Sequence, residues 1–570
     1  MLDRALLRFF LAPRFALRAA LLISFATGAF AQNPLIYSRS TFNAASFMPA
    51  GIPAGAIAQG SIFSVFGAHL GPSTPAGPNG FPLQTTLAGV QLNVIQGATT
   101  VQAIPLYVSA TQINAIMPSN TPVGTASLQV VYHNARSNMS PVRISSTAMG
   151  IFTALGTGLG PGAIENFVTA ASQPLNTPTV SAKLGQPVTL YGTGLGPIAT
   201  PDNMAPPPGS LPTKVEVFVG GVSAQVAYSG RSPCCAGIDQ VVFTVPANAP
   251  TGCWVPVYVR TSGTVISNFV SMAITTSGGA CTNPQSSYIG NVFLNGGKLG
   301  LATVGRTTTV EDVGVTAPVT VTADYHLSFA FTIPRVPFPF NPAVTLPPPG
   351  ACTDYNETGD VTNAHPLPGS LPPPAPLDFG APFLLTGPNG MKTLTAAFNA
   401  PLSVRSGLLG GSITNDILPN SLFLTPGSYT VTGLGGTSIG PFSATFTLPQ
   451  PLNWTEQSSL GVVTRSQPLT LNWTGGGAYD SNFVIGLGVD LPTNSSSIFV
   501  CSVPYGANSF AVPPDILANL PATRPNPLQS KDVIYLFSIP GASVANLNAT
   551  GLDVGYTSTY LIDGKTVIFQ

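Results

Sequence analysis

Two short segments of this 570-residue chain carry residue types and spacings that could do chemistry. In the first, residues 436–440 read Gly-Thr-Ser-Ile-Gly and match the G-x-S-x-G pattern of a nucleophilic serine, Ser438. That chemistry requires a strand–turn–helix elbow, followed along the chain by an acid and then a histidine. The last histidine, His365, precedes Ser438, so a triad in this order is impossible. We therefore predict no catalytic residue at Ser438 and identify none elsewhere.

The second segment resembles the start of a calcium-binding loop. Asp354, Asn356 and Asp360 stand at its first, third and seventh positions, and their side chains offer the oxygen ligands that calcium prefers. Thr358 occupies the fifth position, and His365 occupies the twelfth, where a bidentate glutamate is expected. These departures favour a polar turn, with a calcium site as the alternative. We predict no other metal and no cofactor.

The cysteines form a third group, and export from the cytoplasm would permit them to form disulfides. Cys234, Cys235, Cys253 and Cys281 lie close together in the chain. A strand predicted over residues 238–245 spans roughly 26 Å at about 3.3 Å per residue, which separates Cys253 from the vicinal pair. The hairpin predicted next returns the chain end to Cys253. We therefore predict a disulfide between Cys253 and Cys281.

The spacing of the remaining cysteines does not determine how they pair. Cys234 and Cys235 are left to each other, either as a vicinal disulfide that stiffens a loop tip or as two free thiols. Both interpretations stay open at this point. Cys352 and Cys501 lie in different regions of the chain, and we expect no bond between them.

The N-terminal 31 residues have the features of a secretory signal peptide. Four arginines precede an apolar run from Ala19 to Phe25, and residues 29–31 form an A-x-A cleavage site. The run is short for a membrane span, which needs about 20 apolar residues. We expect a secreted or cell-surface protein whose mature chain has no transmembrane helix.

The composition points to an all-β protein with an almost uncharged surface. Charged residues make up only 7% of the chain, against about 25% in a typical domain. Such a surface offers little to the phosphates of nucleic acids, so we expect no nucleic-acid partner. The 60 glycines and 58 prolines punctuate many short alternating apolar runs, and this pattern favours an all-β multidomain fold.

An internal repeat organises the first half of the chain. Residues 66–72 recur as residues 191–197, residues 112–118 recur as residues 240–246, and Ser137-Asn138 recurs as Ser267-Asn268. The offset grows only from 125 to 130 residues, so one unit has been duplicated. A unit of this length matches one β-sandwich module.

The strand pattern within the repeat agrees with this interpretation. Val90, Leu92 and Val94 alternate with polar residues, as expected for a strand with one buried face. Gly220-Gly221 follows another alternating run and predicts a two-residue hairpin turn.

The motifs of the repeat also resemble a known family. They are the residues at 43–47 (Asn-Ala-Ala-Ser-Phe), 60–67 (Gly-Ser-Ile-Phe-Ser-Val-Phe-Gly), 70–71, 87–90, 111–114 and 122–124. This set is similar to the tandem Ig-like modules, related to IPT/TIG domains, of secreted acidobacterial proteins. The resemblance covers residues 40–275 and implies two immunoglobulin-like β-sandwiches in an extracytoplasmic location. It brings no catalytic residues.

These observations divide the chain into six predicted parts. They are a signal peptide (1–31), a linker (32–38), a first Ig-like sandwich (39–147), a second (148–276), a β-rich domain with proline-rich loops (282–450) and a C-terminal sandwich (451–570). In the β-rich domain, Leu327, Phe329, Phe331 and Ile333 alternate as one apolar strand face. Near the C-terminus, Leu469, Leu471 and Trp473 share a predicted core face, and residues 514–520 could open a helical turn.

The sequence favours a non-enzymatic secreted or surface protein for adhesion, scaffolding or contact with polysaccharide. The partner is an extracellular polysaccharide or another surface protein. The alternative is a secreted hydrolase with its site in residues 282–450 and Ig-like accessory modules.

Overall fold

The structure, a computed structural model, is built almost entirely of β-strands, as the composition predicts. It describes residues 32–282, 292–311, 318–342, 344–358, 375–394, 404–413, 422–526 and 530–570. Helical residues in these ranges are confined to α1 (Pro514–Leu517), residues 292–295 and two 3₁₀ turns, Pro53–Gly55 and Gly541–Ser543. No helix in the described ranges is long and apolar enough to cross a bilayer. The predicted signal peptide lies outside them.

The first repeat folds as two facing sheets joined by one shared strand. Its strands are β1 (Leu35–Asn43), β2 (Ile57–Ala58), β3 (Ile62–Ala68), β4 (Val90–Gln96), β5 (Thr99–Val108), β6 (Gln112–Ile116), β7 (Gly124–Tyr132), β8 (Ala135–Arg136) and β9 (Ser140–Ser145). They pair in the order β1-β3-β6-β5-β4-β7-β9-β2. The first half of β5 pairs with β4 and its second half pairs with β6. This Greek-key order, with β2 parallel to β9, is immunoglobulin-like.

The second repeat has the same strand order. Its strands are β10 (Gly150–Ile151), β11 (Ile164–Asn166), β12 (Ala182–Lys183), β13 (Pro187–Thr193), β14 (Val215–Val219), β15 (Val222–Arg231), β16 (Asp239–Thr244), β17 (Gly252–Thr261), β18 (Val265–Ile266) and β19 (Val270–Thr275). They pair in the order β10-β13-β16-β15-β14-β17-β19-β12. The predicted architecture of the duplication is therefore confirmed. We refer to β1–β9 as module 1 and to β10–β19 as module 2.

The strand and turn residues predicted from the sequence match the observed strands and turns in both modules. Val90, Leu92 and Val94 are buried in the core of module 1, and the residues between them are half-buried. The Gly220-Gly221 turn joins β14 to β15, with φ values of 58° and 84°. Positive φ at both positions is what a type I′ hairpin turn requires, and glycine adopts it without a steric penalty.

The repeated Ser-Asn pair makes the same contacts in each module. The Asn138 side chain bonds both the N–H and the C=O of Ile36, at 2.8 and 3.0 Å. The Asn268 side chain bonds both backbone groups of Ile151, also at 2.8 and 3.0 Å. In each case the amide ties the first strand of the module to the connection before its last strand. The recurrence of the pair in the sequence therefore corresponds to the same structural contact in each module.

The second half of the chain forms one large sheet and several small ones. Its strands are β20 (Gly297–Glu311), β21 (Val319–Ile333), β22 (Cys352–Thr358), β23 (Ala375–Pro376), β24 (Phe383–Gly387), β25 (Gly390–Leu394), β26 (Val404–Ile413), β27 (Gly427–Gly433), β28 (Phe442–Leu448), β29 (Asn453–Trp454), β30 (Val462–Val463), β31 (Leu469–Thr474), β32 (Ser481–Asp490), β33 (Ser495–Ser502), β34 (Ser509–Val512), β35 (Ser530–Ile539), β36 (Ala545–Asn546), β37 (Val554–Thr566) and β38 (Ile568–Phe569).

The large sheet corrects the division predicted at residue 450. Its order is β22-β33-β32-β35-β37-β20-β21-β23, so it mixes strands from both predicted C-terminal regions. At its centre β20 runs parallel to β37, with Leu299 opposite Val554. Prolines 449 and 451 lie in the connection between β28 and β29, but the pairing of β20 with β37, 255 residues apart, has no local signature in the sequence. The two regions form one interleaved unit.

Two smaller expectations also need correction. Residues 35–38 belong to β1, which pairs with β3, so the predicted linker at 32–38 is partly a strand. On β21 Leu327, Phe329 and Phe331 are only half-buried, although Ile333 is buried; the other buried side chains are those of Asp324, His326, Ser328 and Ala330. The alternation of apolar residues identified the strand, but it did not identify which face of the strand is buried. Leu469, Leu471 and Trp473 do lie in the core, as predicted.

Module 2 packs against this C-terminal unit. The Trp254 indole N–H donates to the carbonyl of Pro339 at 3.0 Å. Asp515, in α1, accepts hydrogen bonds from Tyr258 at 2.9 Å and from Arg260 at 3.1 Å. Tyr258 and Phe269 share an apolar cluster with Trp473. Module 2 therefore contacts the C-terminal unit through both polar and apolar side chains.

Candidate functional site

The structure places the G-x-S-x-G segment in a connection between two strands. Ser438 lies between β27 and β28, which pair directly with each other. The residues that follow the serine lead into β28 rather than into a helix, so the elbow that exposes a nucleophile is not formed. The neighbouring Thr437 instead donates its backbone N–H and its hydroxyl to Asp378, both at 2.8 Å. These contacts give the segment a structural turn.

The structure places residues 354–358 on a strand, so the polar turn favoured from the sequence is not formed there, and neither is the loop of its calcium-binding alternative. Asp354 and Asn356 lie on β22, which pairs along its length with β33, and Asp360 lies outside the described residues. The Asp354 carboxylate is buried and accepts hydrogen bonds from Ser497 at 2.8 Å and from Asn356 at 2.7 Å. Burial raises the pKa of Asp354 to about 6. Within the described ranges, no three His, Cys, Asp or Glu side chains cluster as metal ligands would.

All six cysteines form disulfides. Cys253 bonds Cys281 and Cys234 bonds Cys235. Cys352 bonds Cys501, so the expectation of no bond between them is wrong. These two residues face each other across β22 and β33, a pairing that sequence separation concealed.

A fully buried ion pair holds modules 1 and 2 together. The Arg231 guanidinium contacts the Asp239 carboxylate, and their side chains are 2% and 0% exposed. Arg231 also donates to the carbonyls of Gly60 in module 1 and Gly196 in module 2, at 2.9 and 2.6 Å. The guanidinium therefore bridges the two modules while neutralising a buried carboxylate. Removing one partner of such a pair leaves an uncompensated charge in the interior.

Two uncharged side chains complete this junction. The Asn43 amide of module 1 donates to the carbonyls of Ala148 and Thr193, at 3.1 and 3.0 Å. The Thr193 hydroxyl accepts the N–H of Ile62 at 2.8 Å and donates to the carbonyl of Gly237 at 2.6 Å. Asn43 and Thr193 are both fully buried. Buried hydrogen bonds with fixed partners permit little relative movement of the modules.

The loop between β15 and β16 contributes an apolar half of the junction. We call residues 232–238 the Cys loop, because it carries the Cys234–Cys235 disulfide. A Cβ on Gly237 would lie 2.7 Å from Ile62 and 3.1 Å from Ile116, so the loop backbone packs directly against module 1. Ala236 belongs to a buried cluster with Ile62, Leu83, Ile104 and Ile116 of module 1.

A cleft of about 890 Å³ opens beside this junction. Module 1 contributes Thr85, Thr100, Val101, Gln102, Ile104, Pro118, Ser119 and Asn120, and module 2 contributes residues 198–203. Ligand sites commonly lie at such interfaces between domains. Because the modules are locked together, the cleft exists before a ligand arrives.

The cleft is polar and nearly free of charge. Its one ionisable side chain, Asp202, accepts hydrogen bonds from the backbone N–H and the hydroxyl of Ser119, both at 2.7 Å. The amide side chains of Gln102 and Asn120 are exposed. Thr100 and Thr200 add exposed hydroxyls. This lining offers neutral donors and acceptors to a ligand.

An exposed aromatic residue lies near the cleft residues in sequence. Leu83 donates its N–H to the carbonyl of Asn203 at 2.8 Å, and the Asn203 side-chain amide donates to the carbonyl of Leu83 at 3.2 Å. Phe81, two residues before Leu83, is 44% exposed. Sequence reasoning selected none of these cleft residues. The available signal was the pair of long Pro-rich loops after β3 and β13, which meet here.

Comparison with known proteins adds little to this picture. No protein-family model matches the chain, and no curated protein matches it. The glycan-utilisation protein SGBP-B, from a complex xyloglucan utilization locus in Bacteroides uniformis, is 12% identical with a TM-score of 0.15, over 66% of this chain and 86% of that chain. The plexin A4 extracellular region is 16% identical with a TM-score of 0.15, over 40% of this chain and only 17% of that chain.

Domains 5–6 of the S-layer protein SbsC are 11% identical with a TM-score of 0.15, over 43% of this chain and 100% of that chain. Likenesses at these scores carry no argument about site or ligand. The immunoglobulin-like assignment therefore rests on the observed strand order, and the family suggested by the sequence motifs stays a prediction.

Proposed function

We propose that this protein is a non-enzymatic, secreted or surface-exposed binding protein whose cleft between modules 1 and 2 holds a neutral polysaccharide. One observation carries the proposal: an open cleft that is polar but almost uncharged lies between two modules that buried polar contacts lock together. Its single carboxylate is already engaged by Ser119.

The chemistry of the lining favours hydroxyl-rich, uncharged ligands. Amide groups such as those of Gln102 and Asn120 both donate and accept hydrogen bonds, as sugar hydroxyls do. Phe81, two residues before Leu83 in the chain, is exposed, and an exposed aromatic ring offers contact area at a low entropic cost. An anionic polymer would find no cation among the lining residues.

The proposed location is supported by the disulfides together with the predicted signal peptide. Three disulfides in one chain are typical of proteins that mature in an oxidising compartment. A protein of this kind meets polysaccharides at the cell surface or outside it. The modules 39–147 and 148–276 are the parts that we propose act as the binding unit.

Titration calorimetry on the mature chain tests the proposal. We expect binding to at least one neutral polysaccharide and weak or no binding to acidic ones. The double variant Gln102→Ala/Asn120→Ala should weaken binding at least about tenfold, because two hydrogen-bonding side chains are lost.

Gln225→Ala is the matched control. Gln225 is exposed and is the fourth residue of β15, the position that Gln102 occupies on β5, but it does not line the cleft. Equal loss of affinity in both variants, or no binding to any neutral polysaccharide, would contradict the proposal. Release of soluble sugars would instead support the hydrolase alternative, and Ser438→Ala would then show whether that serine is involved.

A further inference from the structure

We infer that the Cys234–Cys235 disulfide is a thiol–disulfide exchange site whose oxidation state controls the shape of the cleft. Its co-reactant is a dithiol, either a small molecule or a protein that carries a cysteine pair. This disulfide would regulate the binding site proposed above, so the inference rests in part on that proposal. The thiol–disulfide exchange itself can be measured without knowing the ligand.

Accessibility distinguishes this disulfide from the other two. Cys234 is exposed and Cys235 is half-buried. Cys253 and Cys281 are 3% and 7% exposed, and Cys352 and Cys501 are 7% and 0% exposed. Exchange requires a thiolate to reach a disulfide sulfur, so an external dithiol reaches the Cys loop first.

The consequences of reduction for the whole fold also differ. The Cys352–Cys501 bond closes a separation of 149 residues, and Cys253–Cys281 closes one of 28. Cys234–Cys235 closes a separation of one residue, so it restricts the unfolded chain very little. This bond can open and close while the modules remain folded.

The exchange itself balances without further reagents. One thiolate of the dithiol attacks a cysteine sulfur, forms a mixed disulfide and releases the other cysteine as a thiolate. The second thiol of the reagent then displaces the first cysteine. Two cysteine thiols and one reagent disulfide result, with two electrons passed to the protein.

The backbone of the Cys loop depends on the two cysteines. Ser232 and Ile238 bond across its base at 2.9 Å, Cys235 donates its N–H to the carbonyl of Ser232 at 3.2 Å, and Ile238 donates to the carbonyl of Cys235 at 3.2 Å. The disulfide fixes the residues in the middle of this small network. Reduction frees their side-chain torsions and weakens the turn.

A short apolar path joins this loop to the cleft. Ala236 directly follows the disulfide and shares a buried cluster with Leu83 and Ile104 of module 1. Ile104 lines the cleft, and the Leu83 N–H bonds the carbonyl of Asn203, which also lines it. A loosened loop therefore removes packing from two residues that set the position of the cleft walls.

Two measurements on the full mature chain test the inference. After brief treatment with a dithiol, alkylation and peptide mass spectrometry should label Cys234 and Cys235 and leave the other four cysteines unlabelled. Hydrogen exchange at the Leu83 amide should accelerate by about fivefold or more, and affinity for the neutral polysaccharide should fall to a similar degree.

The double variant Cys234→Ser/Cys235→Ser serves as a permanently open form. It should match the reduced protein at the Leu83 amide and should not respond to the dithiol. Unchanged Leu83 exchange after verified reduction would overturn the inference, as would preferential reduction of a buried disulfide. Absence of polysaccharide binding in the oxidised protein would count against the proposed function alone, because the exchange result stands without a ligand.

Discussion

Modules 1 and 2 share a strand order but differ in one connection, which joins β5 to β6 in module 1 and β15 to β16 in module 2. In module 1 three residues, 109–111, join β5 to β6, whereas in module 2 the seven-residue Cys loop joins β15 to β16. In module 1 the N–H of Leu70 bonds the carbonyl of Ala110 at 2.9 Å. In module 2 the equivalent N–H of Leu195 bonds the Asp239 carboxylate at 2.7 Å.

This difference shows how a duplicated module acquires an interface. The longer connection replaces a backbone acceptor with a buried carboxylate, and the carboxylate requires the compensating charge of Arg231. Arg231 then reaches Gly60 of module 1, and Gly237 packs on Ile62. Arg231 and Asp239, at the two ends of the longer connection, thus supply a polar part of the junction beside the cleft, and Gly237 within the connection supplies an apolar part.

The largest expected effect comes from breaking the ion pair. Arg231→Met leaves Asp239 buried without a counter-charge and should lower the free energy of unfolding by about 3–5 kcal/mol. Chemical denaturation of the full chain measures this change. Lys214→Met is the control, because that lysine is 71% exposed in its pair with Glu216 and should contribute less than about 1 kcal/mol. Similar losses for the two variants would refute the assigned role of the junction.

A second comparison uses the repeated asparagines. Asn268 is 2% exposed and also donates to the carbonyl of Gly158 at 2.8 Å, whereas Asn138 is exposed. Asn268→Ala should cost about 2–3 kcal/mol, because buried backbone groups lose their partners, and Asn138→Ala should cost about 1 kcal/mol or less. Denaturation midpoints of the two variants provide the test. The reverse order would show that burial does not govern this contact.

A third comparison separates packing from backbone conformation. Gly237 and Gly263 have φ values of 77° and 79°, but a Cβ on Gly263 would meet no atom within 4 Å. Alanine pays a similar conformational penalty at both sites. Gly237→Ala should therefore cost about 1–3 kcal/mol more than Gly263→Ala, owing to the clash with Ile62. Equal melting temperatures for the two variants would mean that the Cys loop is not pressed against module 1.

The smallest expected effect comes from giving β13 of module 2 the residue that ends β3 of module 1. Thr193 corresponds in the repeat to Ala68. Thr193→Ala removes the hydroxyl that joins Ile62 to Gly237 and should cost about 1–2 kcal/mol. The amide of Ile62 should also exchange faster in this variant. If neither stability nor exchange changed, the hydroxyl bridge would have no energetic role.

Local sequence patterns predicted the parts of the fold that local chemistry determines. The Gly220-Gly221 turn, the alternation at Val90–Val94 and the recurring Ser-Asn pair all act within a module. The strand-length argument also named the pairing of Cys253 with Cys281 that the structure contains. In each case the relevant partners are close in sequence or are repeated.

Features that depend on distant pairing escaped prediction. The parallel contact of β20 with β37 and the Cys352–Cys501 bond both arise from the interleaved C-terminal sheet. The cleft was missed because its walls come from loops of two modules. A usable signal did exist: in a chain with 7% charged residues, Arg231 and Asp239 flank the vicinal cysteines. Because these two residues are only eight positions apart and flank a loop, their spacing alone would have supported the prediction of an ion pair between them.

The most direct test of the locked junction is the hydrogen exchange of one amide in the full, oxidised chain. The N–H of Ile62 belongs to module 1 but donates to Thr193 of module 2 at 2.8 Å. We expect this amide to exchange as slowly as the β3 amides that are bonded within module 1. Exchange at the rate of an exposed turn such as Gly97, with the rest of β3 still protected, would show that the modules separate freely and that the cleft is not preformed.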